Sequence, residues 1–362
     1  MRKPFFLAVI LSGISSGAMA EEFICESDQG LSPYDIEIQP NFDHVRFAPA
    51  QTDMIKEFES FTASFDGPDD DDGDGEPDLY ANLEWVAYEL QGLEEINGEY
   101  EEPEISIKRP SDWYKSPEFA FLWTDRSGIT KKRLDNSYDN IGAIWNRGHM
   151  AMGDHAQRIS WQASCNTHTY WNGVPQAAEM NQGPWLHLET YVAALSNKYE
   201  KVWTIAGTIF DEDKIVHSIF DRVREDRKGE VPVAVPHALF KILVLEIDGQ
   251  LDVRAFIFEQ PYELAGEDAE ESVRYNPIPT ADAKAGWVKC SQASGREHTY
   301  DHRSRLVSVS EIERRTGLTF FEDFPELAAK KGEEPTYLWP VEKKYWTGFI
   351  CGGQNFIPEN SN

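Results

Sequence analysis

Cysteine, basic residues and long apolar runs are all scarce in this sequence. The 362 residues include four Cys, and 34 Lys and Arg stand against 63 Asp and Glu. The formal charge of −29 argues against a broadly basic surface of the kind that coats nucleic acid. It does not exclude an enzyme with one local basic cleft, since such a cleft needs only a few cations.

The one apolar run of note lies at the N-terminus. Residues 5–14 are mostly apolar but too few to span a bilayer, and no later run is long enough. Arg2 and Lys3 precede this run, and Ala18-Met19-Ala20 follows it as a small-x-small cleavage site. We therefore expect a signal peptide cleaved after Ala20 and a secreted or periplasmic chain without membrane contact. A retained anchor is the alternative.

The four cysteines are expected to form disulfides, because an even count in an exported chain favours them. Four cysteines allow three sets of pairs, and the sequence does not choose among them. Our expectation is that Cys25 pairs with Cys351 and Cys165 with Cys290. Cys165-x-x-His168 has the spacing of half a zinc site, but no second half follows at zinc spacing.

Apolar periodicity predicts an α+β fold with a mixed or antiparallel sheet core and flanking helices. Predicted helices cover 53–65, 181–202 and 307–321, the last with a Ser cap and an end at Gly317. Predicted strands cover 83–90, 141–150, 202–210, 240–247 and 253–261. The predicted domain organisation is a signal peptide (1–20), an N-terminal extension (21–80), a catalytic domain (81–321) and a C-terminal extension (322–362).

The acidic segment 66–78 within the N-terminal extension has the pattern of a calcium loop. Carboxylates alternate around a glycine that permits a turn, at Asp70, Asp72, Asp74, Gly75 and Asp78. The twelfth position is Ala81, where a full EF-hand loop has a bidentate Glu. The segment therefore predicts a shorter structural Ca²⁺ site, with a solvated acidic linker as the alternative.

Catalytic residue types occur near the end of the predicted strand 141–150. His149 can act as a general base because its ordinary pKa lies near neutral pH. Arg147, two positions earlier, would share its face of the strand. Arg109 offers a second guanidinium for phosphate oxygens. Each residue could instead be purely structural: His149 a hydrogen-bonded histidine, and the arginines partners of carboxylates.

Two residues of the predicted helix 181–202 suit a divalent cation. Asn181 supplies an amide oxygen, and Glu189 lies two turns further on, where it could orient water around Mg²⁺. The alternatives are a helix cap for Asn181 and a solvated surface position for Glu189.

"NRGHMA" (146–151) and "NGVPQAAEMNQGPWLHLE" (172–189) together resemble the sugar-non-specific DNA/RNA endonucleases, which include endonuclease G and have a ββα-metal site. Further segments resemble the family in the same order along the chain: "EWVAY" (84–88), "RPSDWY" (109–114), "DNSY" (135–138), "VWTIAGTIF" (202–210), "VAVPHALFKILV" (233–244) and "IERRTGLTFF" (312–321). The resemblance covers roughly residues 81–321.

The resemblance implies a role for each site residue. His149 would be the general base and Asn181 the direct protein ligand of Mg²⁺ or Mn²⁺. Glu189 would act through water around the metal, and Arg147 and Arg109 would contact the phosphate. Asn172 would help to shape the site. The implied reaction is metal-dependent hydrolysis of DNA and RNA that leaves 5′-phosphate ends, carried out by a chain that forms homodimers in many members.

Two positions depart from the family pattern. The family usually has Asp before R-G-H, and here the residue is Asn146. The missing carboxylate is expected to weaken metal binding or to change the preferred metal. Thr208 replaces the Pro of the corresponding family strand, a change that we expect to be structural.

A local basic surface would reconcile an acidic chain with an anionic substrate. The candidates for it are Arg109, Lys131, Lys132, Arg133, Arg147 and Arg158. A surface this small should bind nucleic acid weakly and lose affinity quickly with salt. A plain exposed loop is an equally good interpretation of "TKKR" (130–133).

The sequence therefore predicts a secreted or periplasmic, metal-dependent endonuclease that acts on DNA and RNA. One alternative is a narrower phosphodiesterase that prefers one nucleic acid. Another is a catalytically weakened, calcium-stabilised nucleic-acid-binding or interaction protein on a nuclease scaffold.

Overall fold

The computed structural model describes residues 22–25, 41–50, 54–65, 82–110, 113–114, 123–124, 130–131, 145–211, 233, 235–263, 278–280, 287–293 and 300–347. Its strands are Glu22–Ile24 (β1), Met54–Glu57 (β2), Thr62–Phe65 (β3), Leu83–Gln91 (β4), Ser106–Lys108 (β5), Trp123–Thr124 (β6), Thr130–Lys131 (β7), Trp145–His149 (β8), Gly173–Ala177 (β9), Lys201–Ile209 (β10), Ala238–Ile247 (β11), Gln250–Glu259 (β12), Tyr262–Glu263 (β13), Ile278–Pro279 (β14) and Leu306–Val307 (β15).

The helices are short apart from one. They are Gly153–Gln157 (α1), Trp161–Asn166 (α2), Ala178–Met180 (α3), Leu186–Tyr199 (α4), Cys290–Ala293 (α5), Val309–Thr316 (α6) and Pro325–Ala328 (α7). Single turns of 3₁₀ helix occur at Tyr170–Asn172, His302–Arg305 and Lys343–Tyr345, and a π-helical turn spans Asn181–Trp185. None of the helices in the described ranges is long and apolar enough to cross a membrane.

A seven-stranded sheet in the order β15-β12-β11-β10-β4-β3-β2 forms the centre of the fold. Every neighbouring pair in it is antiparallel. Its central strands are buried on both sides, as the near-continuous burial of β11 shows. One face packs against α4 and the other against α6. The predicted α+β class with an antiparallel sheet core is confirmed.

Most predicted elements are present with shifted ends. The strands expected at 83–90, 202–210, 240–247 and 253–261 are β4, β10, β11 and β12. The helix expected in 307–321 is α6, which has Ser308 as its N-cap. It ends at Gly317, whose left-handed φ of 72° is one that glycine adopts readily.

The helix predicted over 53–65 is wrong, because this segment forms the antiparallel pair β2–β3. Phe58 and Phe61 have helical spacing, but they stack at 4.4 Å across the turn between the two strands. Phe58 N also donates to Phe61 O at 2.7 Å, which closes that turn. Thr62–Phe65 is buried throughout because it lies between β2 and β4. Tertiary pairing therefore overrides the local periodicity.

Both predicted disulfide pairings are wrong. Cys25 bonds to Cys165, with the two Cα atoms 5.5 Å apart. Cys290 is disulfide-bonded as well. β1, which Cys25 directly follows, pairs in parallel with β5 and lies beside α2. The pairing depends on this strand contact, which cysteine spacing does not reveal.

The C-terminal stretch as far as residue 347 packs back against α4. Tyr191 Oη donates to Trp339 O at 2.7 Å, and Asn197 Nδ2 donates to Tyr345 O at 2.8 Å. Trp346 stacks on His187 with ring centroids 5.9 Å apart. The helix that carries Glu189 is therefore held on one side by the sheet and on the other by this stretch. The predicted domain boundaries stay predictions.

Candidate active site

β8 presents Arg147 and His149 on one face, because side chains alternate along a strand. The Trp113 ring contacts both of them. Its centroid is 4.7 Å from that of His149, and Arg147 Cζ lies 5.7 Å from it. Arg147 also donates a long hydrogen bond of 3.5 Å to Tyr170 Oη. β8 thus ends where the sequence predicted, with the guanidinium and the imidazole side by side.

Gly148, between these two residues, lets β8 approach β9 closely. A Cβ at this position would lie 1.9 Å from Gln176 Oε1, so any side chain would displace that buried glutamine. Gln176 stands opposite Asn146 in the antiparallel register. Asn146 and Gly148 therefore share the face turned away from His149. The Asn146 side chain, at the position where the family usually has Asp, therefore points to the opposite face of β8 from His149.

Asn172 fixes the chain immediately after His149. Its Oδ1 accepts from the backbone N–H groups of Met150 (3.3 Å) and Ala151 (2.7 Å). Its Nδ2 donates to the carbonyls of Ala151 (2.8 Å) and Thr167 (3.0 Å). The side chain is fully buried, and through these bonds Asn172 positions the backbone around the end of β8.

The start of α4 has an irregular backbone that places Asn181. Residues Asn181–Trp185 form a π-helical turn in which Gly183 leaves the helical region, with φ −125° and ψ −108°. The regular helix begins only at Leu186 and has no side-chain cap. The capping interpretation of Asn181 is therefore wrong for α4. Its side chain instead lines the cavity described next.

A cavity of about 310 Å³ brings four predicted residues together. His149 enters its wall from β8, Asn181 and Glu189 from the helical segment, and Arg109 from the chain after β5. This convergence of an imidazole, an amide, a carboxylate and a guanidinium joins residues that span 80 positions of the sequence. The wall also includes Glu102, Asp154, His155, Ser164 and His168.

The predicted base is electrostatically suited to be neutral. Burial lowers the pKa of His149 well below its ordinary value, and His168, Arg109 and Arg147 act in the same direction. His149 Nε2 is buried and has no hydrogen-bond partner in the described part of the chain. A neutral imidazole at the cavity wall can accept a proton from a reacting water molecule through its unprotonated nitrogen.

His168 packs edge-on against His149, with ring centroids 4.8 Å apart. Its Nδ1 lies 3.3 Å from the Cys165 carbonyl, which can only accept, so Nδ1 carries the proton in this arrangement. Burial lowers the pKa of His168 to about 4. The second imidazole is therefore neutral at pH 7, and no cationic histidine repels a proton arriving at His149.

Glu189 is a buried carboxylate at the cavity wall. The alternative interpretation, a solvated position on the helix surface, is therefore wrong. Its Oε1 lies 3.4 Å from Lys241 Nζ, and the Lys241 side chain is completely buried. Burial raises the pKa of Glu189 to about 7, although the Lys241 ammonium acts in the opposite direction. The site therefore contains a carboxyl group that titrates near neutral pH.

Arg109 is the most open cation of the site. It pairs only loosely with Asp154, at 3.8 Å, and both side chains are well exposed. Exposed pairs of this kind contribute little to stability. A phosphate group can therefore replace Asp154 as the partner of the Arg109 guanidinium.

Arg158 does not line a basic surface, contrary to the prediction. Its guanidinium is almost fully buried and paired with Glu102. Arg158 also donates to Ser196 Oγ at 2.9 Å and to the Gln91 carbonyl at 3.2 Å. With its donors used inside the protein, Arg158 is a structural residue that joins α1 to the end of α4.

Several predicted residues lie outside the described residues. They are Lys132, Arg133 and the acidic segment that contains Asp70, Asp72, Asp74 and Asp78. Lys131 is the last residue of β7. The predicted basic loop and the calcium site therefore stay predictions.

The half zinc site is excluded, because Cys165 is in a disulfide. His168 belongs to the cavity wall instead. Within the described ranges, no group of three or more His, Cys, Asp or Glu side chains is arranged to hold a metal ion.

Sequence reasoning missed Lys241 and Asp154. A lysine inside the apolar run "FKILV" is a detectable signal, since a charged residue in a central strand needs a buried partner. Asp154 had no such signal, because an acidic residue in the first turn of a short helix is common.

Comparison with known proteins gives a consistent assignment. A family model described as DNA/RNA non-specific endonuclease matches residues 84–327. The mitochondrial nuclease EXOG of Xenopus laevis is 28% identical over 213 residues, which is 57% of this chain and 48% of that protein. Mitochondrial endonuclease G of Bos taurus is 31% identical over 203 residues, which is 54% of this chain and 52% of that protein.

This chain spans about half the length of the curated relatives that it matches. A solved structure of an EndoG/EndoGI complex aligns with 76% of this chain and 88% of that chain, at 18% identity. Its TM-score of 0.44 is too low to add to the assignment.

Proposed function

This chain belongs to the DNA/RNA non-specific endonuclease family, and we propose that it is a divalent-metal-dependent nuclease that hydrolyses phosphodiester bonds of DNA and RNA. The observation that carries the proposal is the single cavity shared by His149, Arg109, Asn181 and Glu189. These side chains supply a base, a phosphate contact and oxygen donors for a cation. We propose 5′-phosphate ends as the products.

The donors in the cavity suit Mg²⁺ or Mn²⁺. The Asn181 side chain lines the wall and makes no hydrogen bond within the described ranges, so its amide oxygen is available to a ligand. Glu189 offers a carboxylate on the same helical segment, which would accept hydrogen bonds from water around the ion. Oxygen atoms, from amides and from water, are the ligands that these hard cations prefer. A bound ion would neutralise charge on the phosphoryl group and stabilise the leaving oxygen.

His149 is the proposed general base. The unprotonated ring nitrogen of neutral His149 accepts a proton from water as the water oxygen forms a bond to phosphorus. The bond from phosphorus to the 3′-oxygen breaks, and that oxygen takes a proton from solvent. The neutral state of His149 at pH 7 follows from its lowered pKa, and a base must be neutral to begin this step.

Arg109 and Arg147 are the proposed phosphate contacts. Arg109 is exposed and weakly paired, so it can reach a phosphate oxygen without breaking a strong ion pair. Arg147 is held between Trp113 and Tyr170 on the same face as His149. Fixed guanidinium groups of this kind stabilise the charge that develops on a transferring phosphoryl group.

We also propose export to the periplasm or the medium, with DNA and RNA as the partners of the chain and a structural Ca²⁺ at Asp70, Asp72, Asp74 and Asp78. The Cys25–Cys165 disulfide supports export, because such bonds persist in oxidising compartments. A homodimer stays a prediction.

Digestion of plasmid DNA and of RNA by the purified chain, with Mg²⁺, Mn²⁺ or EDTA at low and moderate salt, tests the proposal. Metal-dependent cutting of both substrates is expected, and ligation of the products would identify 5′-phosphate ends. Cutting of only one substrate would favour the narrower phosphodiesterase. Binding of both without turnover, by a chain that melts cooperatively, would favour the binding protein. Asn146→Asp would then test whether a carboxylate there strengthens metal binding.

A further inference from the structure

Lys241 is an ammonium group enclosed in the centre of the main sheet. It lies in β11, between Ala206 of β10 and Phe256 of β12 in the antiparallel registers. Its side chain has no exposed surface. Lysine is almost never fully buried without a partner, because desolvation of the charge is very unfavourable. A buried lysine at this point therefore requires compensating contacts.

Those contacts come from one turn of the helical segment opposite. Lys241 Nζ lies 3.4 Å from Glu189 Oε1 and 4.1 Å from the centre of the Trp185 ring. Trp185 and Glu189 are four positions apart, so they present adjacent side chains on the same side of the helix. In the described part of the chain, Glu189 is the one carboxylate that forms an ion pair with Lys241.

Glu189, the carboxylate of this ion pair, faces the cavity of the candidate active site. Glu189 lines the cavity wall while remaining almost fully buried. The groups that face it are Lys241 from β11, Asp154 and His155 from α1, and Tyr88 from β4. Asp154 is anionic and Tyr88 is neutral, while His155 bonds through its Nε2 to the Glu189 main-chain oxygen. Lys241 is therefore the single cation among these groups that favours the ionised carboxyl group.

We propose that Lys241 is a positioning residue of the nuclease site, which orients the Glu189 carboxylate at the cavity wall through their ion pair. The inference rests on the proposed function, in which Glu189 accepts hydrogen bonds from water around the cation. Lys241 itself touches neither substrate nor metal. It acts through Glu189 from the far side, and the Trp185 ring fixes where the ammonium lies.

The test is a double-mutant cycle of Lys241→Met and Glu189→Gln, because Met keeps an unbranched side chain of similar length without the charge. With the wild-type carboxyl group, Lys241→Met should lower kcat about 10- to 100-fold. KM for nucleic acid should change less than about 3-fold, since the phosphate contacts remain. In the Glu189→Gln background, Lys241→Met should lower kcat by less than about 2-fold, because the group through which it acts is gone.

Two further readouts separate positioning from general damage to the fold. The acid limb of kcat against pH should move upward by about one pH unit or more in Lys241→Met, because the carboxyl group loses its cation. Mn²⁺ binding measured by calorimetry should weaken about 10-fold in the same variant. Arg315→Met is the matched control, because Arg315 is a similarly buried cation paired with Asp211 and Glu259 away from the cavity. It should lower stability and leave the pH profile unchanged.

Equal losses of kcat from Lys241→Met in both backgrounds, or an unchanged pH profile, would overturn the inference. If Lys241→Met does not fold, the comparison of Glu189→Gln with the double variant still decides the matter. That double variant removes both charges and leaves no unpaired ion, and a further loss above about 5-fold would contradict the proposal. Absence of cutting by the wild-type chain would instead count against the proposed function.

Discussion

Asn172→Ala provides a sharp prediction that links the fold to the site. The Asn172 side chain makes four hydrogen bonds to the backbone around Ala151 and Thr167: its oxygen accepts two and its nitrogen donates two. A hydrogen bond of this type contributes about 1 kcal/mol net. Loss of all four should therefore lower the free energy of unfolding by about 4 kcal/mol, a large share of the ~5–15 kcal/mol of an ordinary domain.

The same substitution should impair catalysis in molecules that remain folded. Asn172 holds the chain directly after His149, and displacement of a catalytic group by about 1 Å can lower the rate about 100-fold. We expect kcat to fall about 10- to 100-fold below the unfolding transition. Urea unfolding followed by tryptophan fluorescence gives the stability, and plasmid nicking at low temperature gives kcat.

Asn197→Ala is the matched control for this prediction. Asn197 is also buried, and at the far end of α4 its side chain accepts from Leu93 N (3.0 Å) and donates to Tyr345 O (2.8 Å). Two longer bonds join it to Arg158 Nη1 (3.4 Å) and Thr347 Oγ1 (3.5 Å). Its loss should lower stability by about 2 to 4 kcal/mol and leave kcat within about 2-fold. The reasoning is refuted if Asn172→Ala is destabilised by less than about 1 kcal/mol. It is also refuted if both variants lose kcat equally.

Three further predictions concern stability. Burial lowers the pKa of His302 to about 3. Between pH 6.5 and 3 this histidine is therefore protonated in the unfolded chain but not in the folded one. The free energy of unfolding consequently falls as the pH falls through that range. From pH 6.5 to 5 the loss should be about 2 kcal/mol from this group, and urea unfolding of His302→Gln at both pH values should show a correspondingly flatter dependence. Removal of the Cys25–Cys165 disulfide by a double serine substitution opens a loop of 140 residues and should lower stability by up to about 5 kcal/mol in the chain-entropy model; an unchanged melting temperature would contradict this. Ca²⁺ should raise the melting temperature of the wild-type chain but not of Asp70→Asn/Asp72→Asn, and calorimetry without binding heat would exclude the calcium site.

Strong local patterns predicted much of the fold. The apolar runs of β10, β11 and β12 belong to central strands, and such runs are recognisable without knowledge of their partners. The segment 53–65 was mistaken for a helix because its phenylalanines have helical spacing, whereas the turn between β2 and β3 places them face to face. The cysteine pairs were wrong because disulfide connectivity depends on which distant strands meet.

The candidate site divides in a similar way. His149, Asn181, Glu189 and Arg109 were predicted as one group, and the structure places all four around one cavity. The prediction for Arg158 was wrong because the sequence does not show whether a basic residue is buried. Here its guanidinium is turned inward and bonds to Glu102 and Ser196. Lys241 escaped notice because its importance depends on the packing of α4 on the sheet.

The most direct test of the account separates the base from the metal ligand. Mg²⁺-dependent DNA cleavage and Mn²⁺ calorimetry would be measured for His149→Ala and Asn181→Ala beside the wild-type chain. The account predicts that His149→Ala binds Mn²⁺ normally and cuts at least about 100-fold more slowly, whereas Asn181→Ala loses metal binding and cutting together. Full cleavage by His149→Ala, or normal metal binding by Asn181→Ala, would contradict it.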